Sequence, residues 1–342
     1  MKRVACAAVL LWLSVPLVLA QEPPPAGQAA PAAAGRQGGL GGRGPSLPPI
    51  DPPEEWLSPA RPKELIEFDM MTWPEVYDAI HHQGKTVALY YTGGTEHRGP
   101  QNVNGGHTLM ARETAREIAR RLGNAIVLPV IPYSVNNASN QQTGTLGLTT
   151  EIQAALTERI AEQAIATGFT TVILMNDHGG GVNVYGEVAK KLEEKYRAPE
   201  FAARNIHVFY ADHVYAKAQS DFEDMLAKRG LPTSSHAGIQ DTSEMMYLGK
   251  GKHWVRTDLL KYGVTMGPGY VPAPPAPRGT GAGPTGRRGG GRAAVDPGAP
   301  RFVASGVSGD ARLSTEALGK EAFENKVNQA VAQIKEWMAT VR

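Results

Sequence analysis

Four short apolar runs alternate with helically spaced segments along this chain. Lys85 to Tyr91 (KTVALYY), Ala125 to Ile131 (AIVLPVI), Thr170 to Met175 (TTVILM) and Ile206 to Tyr210 (IHVFY) each have the length and composition of a buried strand. Between the first two, Ala111, Ala115, Ile118 and Leu122 recur at helical spacing, which predicts a helix over Thr108 to Leu122 with Gly123 as its C-cap. Thr149 is placed to cap a second helix carrying Ile152, Leu156, Ile160 and Ala164 and ending at Gly168. Val184 to Tyr196 reads as a third helix. Phe323, Val327, Val331, Ile334, Met338 and Val341 form one stripe, so a long C-terminal helix is expected to pack across the domain. Such alternation predicts a parallel sheet with helices on both faces.

The ends are of another kind. Residues 1–20 join Lys2 and Arg3 to an apolar core that stops at Ala20, the pattern of a signal peptide cleaved there. Export to the periplasm or outside the cell is therefore expected, with no stable membrane insertion once the leader is gone. Residues 21–60, dominated up to Pro53 by Pro, Ala and Gly, read as a disordered tether. The folded domain is expected over 61–342, interrupted at 272–300 by a disordered Pro/Gly/Arg-rich insertion with Arg278, Arg287, Arg288 and Arg292 among glycines. The one cysteine, Cys6, leaves with the leader, so any metal must be held through nitrogen and oxygen. Lys and Arg number 35 against 33 Asp and Glu, and losing Lys2 and Arg3 makes the balance even. A balanced chain has no bulk electrostatic reason to seek nucleic acid or anionic lipid.

Candidate chemistry gathers after the strands. Thr92-Gly-Gly-Thr-Glu96-His97-Arg98 follows the first, with His107 close behind, and Asn176-Asp177-His178-Gly-Gly-Gly181 follows the third. Open α/β sheets place their sites just beyond the carboxyl ends of strands. One carboxylate and two imidazoles from separate strand ends would suit a divalent metal. The glycines after His178 lack the spacing and lysine of a phosphate loop and are read as a tight turn. His81 and His82 are read as structural surface residues, and Asp212-His213 as flanking the cleft.

Four segments in order carry a family resemblance: Gly94-Thr-Glu96-His-Arg-Gly-Pro100, Asn176-Asp-His178-Gly-Gly180, His236-Ala-Gly-Ile-Gln-Asp241-Thr-Ser243 and Gly306-Val-Ser-Gly-Asp310. Together they resemble the creatininase (creatinine amidohydrolase) family, whose pattern runs Gly-Ser-x-Glu-Gln-His-Gly-Pro-His, Asn-Gly-His-Gly-Gly, then His-Ala-Gly-Glu-x-Glu-Thr-Ser. The resemblance spans roughly Tyr90 to Gly319. It implies a three-layer α/β/α domain with a mainly parallel sheet, a metal-dependent hydrolase of cyclic amides or related C–N bonds, and a homo-oligomer.

By position, Glu96 and His178 match family metal ligands. The family's second-metal histidine is replaced by Arg98, its bridging aspartate by His107, and a glutamate of creatininase itself by Gly180. An imidazole offers one lone pair and cannot bridge two cations, and a guanidinium cannot ligate. One cation per chain, held by Glu96, His107 and His178, is therefore expected: zinc first, with iron or manganese as alternatives. His236 resembles the family's proton donor to the departing nitrogen, and Asp241 would orient His236 or accept the water's proton. Arg98, Tyr133, Ser134 and Asp177 are the candidate contacts to a small-molecule substrate, and Asp310 a loop-fixing acceptor. The alternatives to an amidohydrolase are a non-catalytic binding protein on the same fold and a lactone or formamide hydrolase.

Overall fold

The computed structural model describes residues 50–57, 64–139, 143–233, 236–265 and 305–341. The leader, most of the tether and the 272–300 insertion lie outside the described residues. The elements run α1 (Trp73–His81), β1 (Val87–Thr92), α2 (Gly106–Leu122), β2 (Ala125–Val127), α3 (Thr150–Thr167), β3 (Thr171–Asn176), α4 (Val182–Tyr196), β4 (His207–Tyr210), α5 (Ala216–Lys228), α6 (Ile239–Leu248) and α7 (Glu316–Thr340). The four strands form one parallel sheet in the order β2-β1-β3-β4, with Val87 level with Ala125 and Thr171.

Alternation along the central strands makes the three layers. Ala88, Tyr90, Val172 and Leu174 face α1, α3 and α4, whereas Val87, Leu89, Tyr91, Ile173 and Met175 face α2 and α7. Both faces are covered, which is why β1 and β3 read as unbroken apolar runs. A side chain as fully buried as Leu89 or Ile173 contributes about 1.5–3 kcal/mol over leaving it in water. On α7, Phe323, Val327 and Ile334 of the expected stripe are buried, Val331 and Met338 pack half-buried at its edge, and Val341 lies just past the helix. Among the described residues no helix is long and apolar enough to cross a membrane.

The predicted elements differ from the observed ones in informative places. The second strand ends at Val127 instead of Ile131, because Pro129 has no N–H to give to the ladder. The chain nonetheless stays beside β1, through Leu128 N to Leu89 O at 2.9 Å and Ile131 N to Tyr91 O at 3.0 Å. His81 ends α1 and His82 is its C-cap, both exposed. That helix is announced by Thr72 and Glu75, a capping pair in which Thr72 N donates to Glu75 Oε2 at 2.6 Å. Thr149 and Gly123 cap as expected, the latter left-handed at φ 81°.

Helix α6 crosses α7 at backbone contact. A Cβ added to Gly319 would stand 1.8 Å from Ser243 O, so only glycine permits this approach. The crossing sets α6 and α7 against the carboxyl ends of β1 and β3, where the candidate site lies.

Candidate metal centre

Each side chain of the centre is delivered by a strand end or a first helical turn. After β1, Glu96 N donates to Asn104 O at 2.9 Å, closing a loop that turns the Glu96 carboxylate inward and leads straight into α2. His107 stands in the first turn of that helix rather than before it. After β3, Asn176 Nδ2 donates to the His178 carbonyl at 2.8 Å while its own Oδ1 accepts from Tyr210 OH at 2.7 Å, which fixes the turn. A Cβ on Gly180 would come within 2.0 Å of Val135 O and about 3 Å of the His178 ring. The absent side chain lets the ring lie flat against the turn, with Gly180 N donating to His178 Nδ1 at 2.9 Å.

These loops converge on one carboxylate. His107 Nε2 lies 2.8 Å from Glu96 Oε1 and His178 Nε2 lies 2.9 Å from Glu96 Oε2; all three residues are buried. One donor atom from each falls within 4.8 Å of the others, the one such His, Cys, Asp and Glu cluster among the described residues. Asn136 Nδ2 also donates to Glu96 Oε2, at 3.0 Å. Burial alone would raise the Glu96 carboxyl, but the bonds and charge of the two rings hold it far below the usual carboxylate range. His107 is shifted upward: burial and Arg98 oppose its charge, and the Asp177 and Glu96 carboxylates on either side override them.

The set fits a divalent cation by its chemistry. It offers two imidazoles and one carboxylate, and His107 Nδ1 meets Asp177 Oδ2 at 2.9 Å on the side away from the other donors. On His178, Nδ1 accepts from Gly180, so a neutral ring carries its proton on Nε2. Ligation through Nε2 would move that proton to Nδ1 and open the Gly180 bond.

Arg98 and Asp241 stand in places the sequence reading did not give them. Arg98 has no exposure, its Nη1 lying 3.2 Å from Glu96 Oε1 and its Nη2 2.7 Å from Asp241 Oδ2. It does not line the cavity, so its expected contact with substrate is replaced by a clamp on two carboxylates. Asp241 accepts from Ala237 N at 2.8 Å and pairs with Arg98 rather than with His236. Burial would raise the Asp241 carboxyl, yet Arg98 with the neighbouring imidazoles keeps it below its ordinary value. His236 instead donates from Nε2 to the His97 carbonyl at 2.9 Å, which turns Nδ1 to within 3.4 Å of Glu96 Oε1. Burial, the larger influence, holds the His236 ring below its ordinary pKa. The ring is therefore neutral near pH 7, with Nδ1 free to accept a proton. Ala237, next in sequence, has φ 51°, a strained conformation costing about 1–3 kcal/mol.

A cavity of about 180 Å³ opens over this group, walled among others by His178, Gly179, Tyr215, Gln219, His236 and Gln240. Tyr133 and Ser134 do not line it. Tyr133 points to solvent at 40 % exposure, and Ser134 is buried beneath Gly94 beside the His178 ring. Asp177 reaches the wall, but its Oδ1 is bound by Lys326 Nζ at 2.7 Å and its Oδ2 by His107, so it has no free oxygen for a substrate. His97 contributes its carbonyl and stays outside the donor cluster. Asp212 and His213 serve structure, held by Gln333 of α7. Asp310 fixes its loop, accepting from Arg312 N at 2.8 Å. Asn136, Tyr215, Glu244 and Lys326 belong to the centre and escaped the sequence reading. Only Lys326 left a clear signal there, as a charge inside the apolar stripe of α7.

A family model described as creatinine amidohydrolase matches residues 69–334. The chain belongs to the creatininase family. No curated protein matches it. Among solved structures, "Creatininase Mn" is similar with a TM-score of 0.55 at 20% identity, covering 80% of this chain and 98% of that one. A mutant creatininase described as Zn-Zn type gives 0.55 at 19%, covering 80% and 98%. A putative creatinine amidohydrolase from Bacteroides fragilis gives 0.53 at 17%, covering 80% and 96%. At these identities the likeness is one of fold, and it agrees with the three-layer architecture read from the chain's own core.

Proposed function

We propose that this creatininase-family chain is an exported, metal-dependent amidohydrolase that opens a cyclic amide or a related C–N bond of a small molecule, using one divalent cation held by Glu96, His107 and His178. The observation that carries this reading is the convergence of those three donors from β1, α2 and β3 on the floor of a cavity that His236 also lines. Zinc suits two nitrogens and one oxygen; the structural relatives described with manganese and zinc make the same class of ion reasonable here. When bound, the cation supplies an activated water and polarises the carbonyl under attack.

The chain's own residues supply the proton traffic and the charge balance. His236, neutral and with Nε2–H committed to the His97 carbonyl, first accepts a proton at Nδ1 and then delivers it to the departing nitrogen. Tyr215, kept protonated by burial, remains a donor facing the cavity. Counted with all four carboxyls ionised and the rings neutral, Glu96, Asp177, Asp241 and Glu244 against Arg98 and Lys326 leave two negative charges, although burial pushes the Glu244 carboxyl upward. One divalent cation cancels them. A second would leave two buried positive charges without partners, and isolated buried charge is expensive.

Export is supported by the leader pattern of residues 1–20, and a homo-oligomer by the family resemblance. The direct test screens purified protein against cyclic amides, formamides and lactones with and without a chelator. Chelator-sensitive turnover of a cyclic amide is the expected result. Turnover restricted to lactones or formamides would reassign the substrate, and silence on every class would favour the binding protein.

A further inference from the structure

Behind His107 lies a chain of buried charges whose net charge enters the balance above but whose order and direction it does not use. Asp177 Oδ2 meets His107 Nδ1 at 2.9 Å, and Asp177 Oδ1 meets Lys326 Nζ at 2.7 Å. The same ammonium reaches Glu244 Oε1 at 2.8 Å. The residues come from the end of β3, the first turn of α2, α7 and α6, and Asp177, Glu244 and Lys326 are 2%, 1% and 6% exposed. Removing three charges from water is costly, and similar volumes of apolar side chain would hold these elements together at least as well. In this chain a carboxylate stands one layer back from the cavity, behind an imidazole.

Resting on the single-cation reading, we infer that Asp177 is a positioning residue, oriented by Lys326 and Glu244, that fixes His107 with its proton on Nδ1 and its Nε2 lone pair turned to the cation. An ionised carboxylate only accepts, so without a cation both ring nitrogens face acceptors, Nδ1 at Asp177 and Nε2 at Glu96; a bound cation takes the place of the Nε2 proton, and Asp177 keeps the proton on Nδ1. Lys326 adds direction, since it only donates and claims the other oxygen. Ligating histidines held in this way bind metal about 10–100-fold more tightly than those without the partner.

The inference makes a prediction that a merely structural role does not. In Asp177→Asn the amide must choose, and Lys326 draws the amide oxygen to itself, setting the NH2 group against His107 Nδ1. That nitrogen must then accept, and the ring's one remaining proton is held on Nε2 against Glu96, where it competes with the cation. Removing the lysine as well frees the amide to turn round. The test is Co²⁺ affinity by chelator competition and visible absorption on the full chain, with metal-free folding checked by circular dichroism. Asp177→Asn should bind Co²⁺ about 10–100-fold more weakly, and Asp177→Asn with Lys326→Met should regain at least about tenfold of that loss. Should the double variant not fold, ¹⁵N NMR of His107 in metal-free Asp177→Asn decides: an Nδ1 without a proton supports the inference and a proton retained on Nδ1 overturns it. Affinity in Asp177→Asn within about threefold of wild type, or a loss that persists in a folded double variant, also overturns it while leaving the metal centre standing. Wild-type protein that takes up no Co²⁺ rejects the metal centre itself, and the inference with it.

Discussion

Arg98 Nη2 lies 2.7 Å from Asp241 Oδ2 in a position wholly closed to solvent, while Nη1 of the same guanidinium lies 3.2 Å from Glu96 Oε1. The Asp241 contact is an ion pair off the hydrogen-bonding direction, and Arg98 Nε has no partner. A fixed cation thus joins the carboxylate of the metal centre to the first turn of α6. Arg98→Met should strip the buried Glu96 and the half-buried Asp241 of their shared guanidinium and destabilise the metal-free protein by about 3–5 kcal/mol. Urea unfolding checks this, and a change below about 1 kcal/mol would show that the pair is not structurally important.

The same pair sets an acid limit. Arg98 holds the Asp241 carboxyl below its ordinary value of 3.8 against the upward push of burial. A carboxyl depressed in the folded state stabilises fully above its unfolded value, and that contribution is lost as pH falls through the folded value. Asp241→Asn removes this component. Its melting temperature should therefore decline less than that of wild type between about pH 5 and about pH 2, and parallel declines would contradict the assignment.

For His236 the expectation is a separation of chemistry from metal binding. Its ring contacts the His97 carbonyl and lies beside Glu96 without belonging to the donor cluster. His236→Ala should lower kcat by about 10²–10⁴ on the amide substrate, with metal content unchanged. Metal loss in that variant would place His236 among the ligands instead.

Much of this arrangement was legible in the sequence. The four strands and the helices over Gly106–Leu122, Thr150–Thr167, Val182–Tyr196 and Glu316–Thr340 follow from periodicity and caps, because both sheet faces are buried and the helices carry single apolar stripes. Glu96, His107 and His178 were found because strand ends in this architecture deliver side chains to one edge of the sheet. What the residues contact was another matter. Arg98 and Asp177 read as facing a substrate and Asp241 as orienting His236 or taking the water's proton, whereas each is held by oppositely charged groups from other elements. Linear order does not show that α6 and α7 bring Asp241, Glu244 and Lys326 together across about 80 residues. Helices α1, α5 and α6 were not read: α1 and α5 are short with narrow apolar stripes, and α6 buries Gln240, Thr242, Ser243 and Glu244 beside Ile239 and Met245.

That meeting of α6 and α7 depends on one missing side chain. Gly319→Ala would set a methyl 1.8 Å from Ser243 O, and backbone has no rotamer to yield. The variant should lose about 1–3 kcal/mol or more and, as α7 retreats, draw Lys326 away from Asp177. Thermal melts measure the first effect and weaker Co²⁺ binding the second; an unaltered melt would mean the crossing relaxes freely.

Metal content per chain bears most directly on the whole account. Elemental analysis of gently purified wild type should find one tightly held divalent metal per chain, and none in a folded His178→Ala variant. Two tightly held metals in wild type, or full retention after His178 is replaced, would contradict it.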